Sequence, residues 1–376
     1  MKKVLFTATL RSHIGQFHQP YLKFFKNAGY EVHIAAKDNS NQKKIKIGHY
    51  DQFHPICYER LPLKRENIKA YFQMKNLLKE HQYDIIHCHT PVAAVITRLV
   101  SRPYRKKGLK VIYTAHGFHF FQGAPRKNWL IYYSIEKFLS RFTDCLITIN
   151  QEDYQRALSS SFLAKSINFI NGVGVDLKEF VSQTEEKKKA LRKQYHYDND
   201  QFILLYAANL SYRKHQDLII QAAARARNQV LNLKIILAGT GEREEEYRSM
   251  IKGFELENTV EMIGYVREIP KYMGLADGVV STARQEGLPI NIVEAMAMGL
   301  PIIATDCRGN RDLVKDKVNG FIVGIDDIEG MTQAIIKLSK SEGLRRRFGE
   351  ESINLVEKYS LRSVQKEMAK IYYRYI

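Results

Sequence analysis

The sequence is poor in cysteine and has no long apolar run. Its four cysteines, Cys57, Cys88, Cys145 and Cys307, are scattered and form no C-x-x-C pair. That argues against a disulfide framework and suits thiols kept reduced in a cytosol. The longest apolar runs are strand-sized, too short for a transmembrane helix. The N-terminus, MKKVLFTATLRSH, begins as a signal peptide does. Arg11 and His13 interrupt it, however, and no small-residue cleavage site follows, so a first β-strand is expected. Low-complexity stretches and solenoid repeats are missing. No G-x-G-x-x-G follows the first strand, which argues against a dinucleotide dehydrogenase.

Acidic residues are scarce in one half only. Residues 1–175 hold 27 Lys and Arg against 11 Asp and Glu, whereas residues 176–376 hold 31 against 29. Nearly all of the net charge of +18 therefore lies in the first half. Such asymmetry points to an anionic partner for that half, nucleic acid or an acidic membrane surface, unless it is a generally basic soluble surface.

Short apolar runs alternate with amphipathic helical stretches throughout. The first half offers the strands KVLFTA, YEVHIAA, DIIHCHT, KVIYTAHG, DCLITIN and INFING, with helices near 16–28, 66–81, 91–102, 126–141 and 151–160. The second offers FILLYAAN, KIILAG, TVEMIG, GVVST, PIIAT and GFIV, with helices near 213–227, 243–254, 289–298, 327–340 and 343–358. Strand–helix alternation of this kind predicts α/β structure with parallel sheets covered on both faces. Twelve strands in one sheet are unusual, so two doubly wound, Rossmann-like domains are expected. The boundaries are 1–180, a polar linker at 181–200, a second domain at 201–358, and a C-terminal helix at 359–376 with Val364, Met368, Ile371 and Tyr372 on one face.

Within this frame "EGLPINIVEAMAMGLPIIA", residues 286–304, places two carboxylates in an otherwise apolar unit. Pro289 suits a first helical turn, and Gly299 with Pro301 ends the helix. The N-terminus of such a helix presents unpaired N–H groups where open α/β sheets bind ligands. A diphosphate there, sugar hydroxyls on Glu286 and a ribose diol on Glu294 make one reading. The other makes Glu286 a partner of the helix dipole and Glu294 an ordinary surface residue.

The motif E286-G-L-P-I-N-I-V-E294 resembles the E-x7-E signature of the retaining glycosyltransferases of family four, which have the GT-B architecture. "NGVGVDLKEF", "LAGTGEREEEY", "EMIGYVREIPKYMGLADGVVSTARQEGLP" and "GNRDLVKDKVNGFIV" resemble that family's other segments, in its order. The resemblance implies two domains facing a cleft, acceptor in the first and nucleotide sugar in the second. Lys214 matches the family's phosphate-binding lysine; Asn209 stands where its arginine is found, leaving Arg213 either to supply that charge or to be solvated at a helix start. Gly241 matches the Gly-x-Gly turn, Tyr265 and Val266 the base-binding turn, Gly287, Leu288 and Pro289 the turn between the glutamates, and Gly15 a glycine near the donor phosphate. His116 in "YTAHGFHF" matches a histidine that hydrogen-bonds the sugar.

No metal is expected. His87 and His89 share a strand face, but with His116 and His119 they have no acidic or thiol ligand in register. "DND" at 198–200 reads as a turn. The resemblance implies a metal-independent hexosyl- or N-acetylhexosaminyltransferase without cofactor, in which Glu286, His116 and Lys214 are catalytic. The donor is a nucleotide sugar, UDP being favoured by family frequency. The acceptor is a polyprenyl-diphosphate-linked saccharide of capsule or exopolysaccharide assembly, and domain closure excludes water. A UDP-sugar 2-epimerase of the same architecture is the alternative; a nucleic-acid partner leaves the paired glutamates unexplained. The basic half then places the enzyme in the cytoplasm, peripheral at the inner face of the membrane, each cation near the surface contributing roughly 1 kcal/mol. In vesicle flotation, attachment to anionic lipid is expected to be lost at about 0.5 M salt. Attachment that persists points instead to an inserted apolar helix.

Overall fold

A computed structural model describes residues 1–40 and 45–376. The chain forms two compact units, residues 1–173 with 364–376, and residues 174–363.

Among the described residues, the first unit is built on a seven-stranded sheet: Lys3–Leu10 (β1), Glu31–Lys37 (β2), Gln52–Pro55 (β3), Ile85–His89 (β4), Lys110–Ala115 (β5), Cys145–Thr148 (β6) and Ser166–Phe169 (β7). Its order is β3-β2-β1-β4-β5-β6-β7, and every pair is parallel. Parallel strands need helical crossovers, which cover both faces, so the strands read as continuous apolar runs. All of β4 is buried. The second unit holds Phe202–Ala207 (β8), Leu233–Ala238 (β9), Val260–Gly264 (β10), Gly278–Ser281 (β11), Ile302–Thr305 (β12) and Gly320–Val323 (β13), in the order β10-β9-β8-β11-β12-β13. In each sheet the strand order reverses once, at β1/β4 and at β8/β11. Open α/β sheets bind ligands at such reversals, beyond the carboxyl ends of the strands.

Two expectations need correction. β3 is absent from the sequence reading: its four residues, Gln-Phe-His-Pro, are too few and too mixed to form an apolar run, and they are partly exposed at a sheet edge. The helix expected at 16–28 is two helices, Arg11–Phe17 and Gln19–Asn27, the first starting directly after β1 with a break at His18. The linker at 181–200 contains the helix Glu185–Gln194, which is fastened into the second unit. There Arg192 is buried, donating to Leu275 O at 3.0 Å and pairing with Asp277 at 2.8 Å.

The C-terminal helix Leu361–Tyr372 ends in the first unit, where Tyr372 packs on Phe25 and Phe24 and lies 2.7 Å from His87 Nδ1. His87 Nε2 meets Thr114 Oγ1 at 2.8 Å, so both ring nitrogens of this core histidine are satisfied.

A buried ion pair ties the helix Pro91–Arg105 to the helix Ser134–Ser140. Arg98, 1% exposed, reaches Glu136 at 2.8 Å, donates to Ala94 O, and lies over the Tyr113 ring at 4.2 Å. Arg98→Ala strands a buried carboxylate and is expected to lower stability by about 3–5 kcal/mol, measured by urea denaturation. A change within experimental error refutes a structural role for the pair.

Candidate active site

The reversal in the second sheet brings the loop after β8 beside the loop after β11. Arg284 N donates to Arg213 O at 2.9 Å, and Thr282 Oγ1 to His215 O at 2.7 Å. Tyr206 Oη donates to Lys214 O at 2.7 Å. These bonds bring three predicted residues together. Lys214 Nζ lies 2.5 Å from Glu286 Oε1, and Arg213 Nη1 lies 3.1 Å from Oε2. Glu286 is 6% exposed, and a carboxylate so buried is costly unless it is paired, as it is here by two cations. Arg213, expected either at the phosphates or solvated, is thus paired with Glu286 and also donates to Gln285 O at 3.1 Å. A guanidinium has five N–H donors and an ammonium three, so both cations keep donors to spare for an anion.

The helix between the glutamates spans Ile290–Ala297, one residue shorter at each end than expected. Pro289 is its N-cap, and no side chain accepts the first-turn N–H groups. Gly287 and Leu288 complete the turn from Glu286. Glu294 lies on the second turn of this helix. Burial, with Glu179 nearby, raises its carboxyl to about 7.

Two glycine contacts give the site its shape. A Cβ on Gly241 meets Leu210 O at 2.0 Å, and one on Gly239 meets Ala208 O at 2.0 Å. The Gly-x-Gly turn after β9 therefore lies directly on the 208–210 loop. Asn209 is exposed, and its carbonyl accepts from Gln216 Nε2 at 2.8 Å. Tyr265, 73% exposed, follows β10 together with Val266, which packs against the core.

Arg308 escaped the sequence reading. It is 2% exposed and donates from Nε to Glu286 O at 2.8 Å. The adjoining Gly309, at φ +83°, lets its turn press on Gly287. A Gly-Asn pair closing a strand end, Gly309–Asn310, was the available signal. Asn291 was also missed; its side-chain nitrogen is buried without a hydrogen-bond partner.

The first sheet's reversal carries the other predicted residues. Gly15 lies inside the helix Arg11–Phe17, not in a glycine-bearing loop, and its missing Cβ makes room for Ile45 and Ile47 at 2.8 Å. Packing therefore accounts for this glycine without a phosphate. His116 follows β5; burial lowers it to about 4, so the imidazole is neutral at pH 7. Its Nε2 lies 3.3 Å from His89 Nδ1. Thr90, beside His89, has φ 61° and is held by Thr9, whose N–H donates to Thr90 Oγ1 at 2.9 Å. Strained non-glycine backbone of this kind concentrates at ligand sites. The imagined grouping of His87 and His119 with His89 and His116 does not form. His87 is satisfied in the core, and His119 stacks on Tyr132. His13 and His18 take their places.

Two parallel α/β sheets, each with one reversal of strand order, fit the GT-B fold found among glycosyltransferases. Residues 3–150 match the Glycosyl transferase 4-like family and residues 187–355 the Glycosyl transferases group 1 family. The chain is 39% identical over 375 residues to the glycosyltransferase EpsD of Bacillus subtilis, covering 100% of this chain and 97% of that protein. It is 25% identical over 299 residues to the UDP-Gal:alpha-D-GlcNAc-diphosphoundecaprenol alpha-1,3-galactosyltransferase of Escherichia coli, covering 78% and 75%. The crystal structure of Anabaena Alr3699/HepE in complex with UDP superposes with a TM-score of 0.80 at 19% identity, covering 100% of both chains. The chain belongs to the group 1, family-four-like glycosyltransferases, and the epimerase alternative is not favoured.

Folded Glu294 holds its proton up to about 7, whereas the ordinary carboxyl value is 4.5. The folded state therefore binds the extra proton in that window, and ligand-free stability falls as pH rises through it. Urea denaturation at about pH 5 and about pH 8 is expected to show a steeper loss for the wild type than for Glu294→Gln. Equal losses refute the proton-holding carboxyl.

Proposed function

We propose that the chain transfers a hexosyl or N-acetylhexosaminyl group, with retention, from a UDP-sugar to a saccharide carried on a polyprenyl diphosphate. The observation that carries this reading is the Lys214–Glu286–Arg213 constellation at the β8/β11 reversal, ahead of a helix whose N-terminus has no side-chain cap. The diphosphate takes the spare donors of both cations and the first-turn N–H groups. Glu294 accepts from the ribose diol, and Glu286 and His116 hydrogen-bond sugar hydroxyls. The bond from the anomeric carbon to the diphosphate oxygen breaks while the acceptor oxygen attacks from the same face. The acceptor proton leaves on the departing phosphate. Electrostatic stabilisation of that diphosphate is the main catalytic contribution. By their names, the Escherichia coli relative uses UDP-Gal and a diphosphoundecaprenol-linked sugar, and the Anabaena protein binds UDP. Both support the choice of donor, and the first supports the acceptor and a place in surface-polysaccharide assembly.

The first unit suits a lipid-linked acceptor. A groove of about 800 Å³ is lined by Leu63, Ile68, Phe72, Ile131 and Ile135. All five are exposed, Leu63 to 99%. The exposed cations Lys64, Arg65, Lys69, Arg126 and Lys127 flank it in sequence. An apolar floor rimmed by cations fits a polyprenyl chain at an anionic surface. No helix among the described residues is long and apolar enough to cross a membrane.

UDP- and GDP-sugars, presented with lipid-extracted acceptors, test the reading through released nucleotide and product anomer. Glu286→Gln and Lys214→Ala are each expected to lower transfer by about 10²–10³-fold while circular dichroism stays that of the wild type. Full activity in either variant refutes the assignment.

A further inference from the structure

We propose that His13, His18, His89 and His116 bind one divalent transition-metal ion of the zinc class at the reversal point of the first sheet. The four come from three separated places in the chain: the helix after β1, the end of β4 and the turn after β5. Each offers a ring nitrogen, and the four nitrogens all lie within 4.8 Å of one another. A tetrahedral zinc site with bonds of about 2.05 Å spaces its nitrogens about 3.4 Å apart. The 3.3 Å between His116 Nε2 and His89 Nδ1 already matches that spacing, whereas His18 and His89, stacked with ring centroids 3.7 Å apart, must turn relative to one another for both to bind the ion.

The second observation is what these rings lack. His18 is 2% exposed and His89 0%. Neither nitrogen of His18 has a hydrogen-bond partner, and Nε2 of His89 and Nε2 of His13 are likewise buried and unpartnered. Buried polar atoms are almost always satisfied, because an orphan loses its water without gaining a partner. Orphan nitrogens on three rings of one cluster therefore call for something to fill it; an ion bound through His89 Nδ1 takes that of His13 and one of His18. Imidazole nitrogens suit zinc, copper, nickel and iron, whereas magnesium and calcium demand oxygen ligands. His13 also lines a hollow of about 480 Å³ with Thr9, Arg60 and Thr90, which gives the ion a way in.

The second histidine group differs. His33 has Nε2 on Glu31 Oε1 at 2.7 Å and Nδ1 against Tyr83 Oη at 2.8 Å, so its nitrogens are already committed. With His54 and His81 it provides an internal control.

The ion joins three strand ends and takes no part in sugar transfer. One nitrogen of His116 on the metal leaves the other for a sugar hydroxyl, so the inference is independent of the proposed reaction. The test uses the full chain without a polyhistidine tag, stripped with chelator and titrated with Zn²⁺ or Co²⁺ alone. One equivalent of zinc by elemental analysis and the strong visible absorption of tetrahedral cobalt are expected. Changing even a group outside the ligand shell costs 10–100-fold in affinity, so His13→Gln and His18→Gln are each expected to cost about 100-fold or more. His54→Ala and His81→Ala leave this site's affinity unchanged. Zinc is also expected to raise the melting temperature of the wild type but not of His18→Gln; should His18→Gln fail to fold, His13→Gln gives the same comparison. Absence of stoichiometric zinc in the wild type, retention of full affinity in the His13 or His18 variant, or loss of binding with His54 or His81 overturns the proposal.

Discussion

Glu286 is a buried carboxylate held by Lys214 and Arg213, and the second unit's ligand edge depends on that contact. Burying one charge costs several kcal/mol unless it is paired, so the carboxylate fixes where both cations stand. The cations come from the loop after β8 and the carboxylate from the loop after β11, so the ion pair also locks the two loops across the sheet's reversal. Arg308 adds a third strand end by donating to the Glu286 carbonyl. The result is a rim tied together across three loops, in front of a helix whose N-terminus has no side-chain cap.

The first unit meets the same geometric constraint with different chemistry. Its reversal carries neutral imidazoles rather than ion pairs, because burial drives the protons from His13, His18, His89 and His116. Its charge is displaced to the surface, where exposed cations border an apolar groove. One fold thus supports a rim of paired charges in one unit and, in the other, a cluster of imidazoles near an exposed apolar groove.

Much of this was legible from local pattern. Twelve of the thirteen strands stand out as apolar runs because parallel strands are buried on both faces. The exception, Gln52–Pro55, is an edge strand whose polar residues carry no such signature. Glu286, Glu294 and Lys214 are legible as candidates because their segments are contiguous motifs. Arg308 was passed over because its bond is to a backbone carbonyl, which leaves no pattern of side-chain types. Gly15 is matched to the family by position alone, and the segment that packs against it, Ile45 and Ile47, is not legible from the sequence. A glycine's sequence context does not reveal which chain segment comes close to it.

The amino-acid sequence by itself determined the alternation of strand and helix, the uncapped helix behind Gly-Leu-Pro, and the concentration of positive charge in one half. These are local properties, set by side-chain periodicity, turn chemistry and composition. Tertiary structure alone decided which loop ends meet. Chain order does not specify strand order, because a helical crossover can place the next strand on either side of the last. Only the placement of β4 beside β1 brings His89 to His13 and His18, and only that of β11 beside β8 brings Glu286 to Lys214.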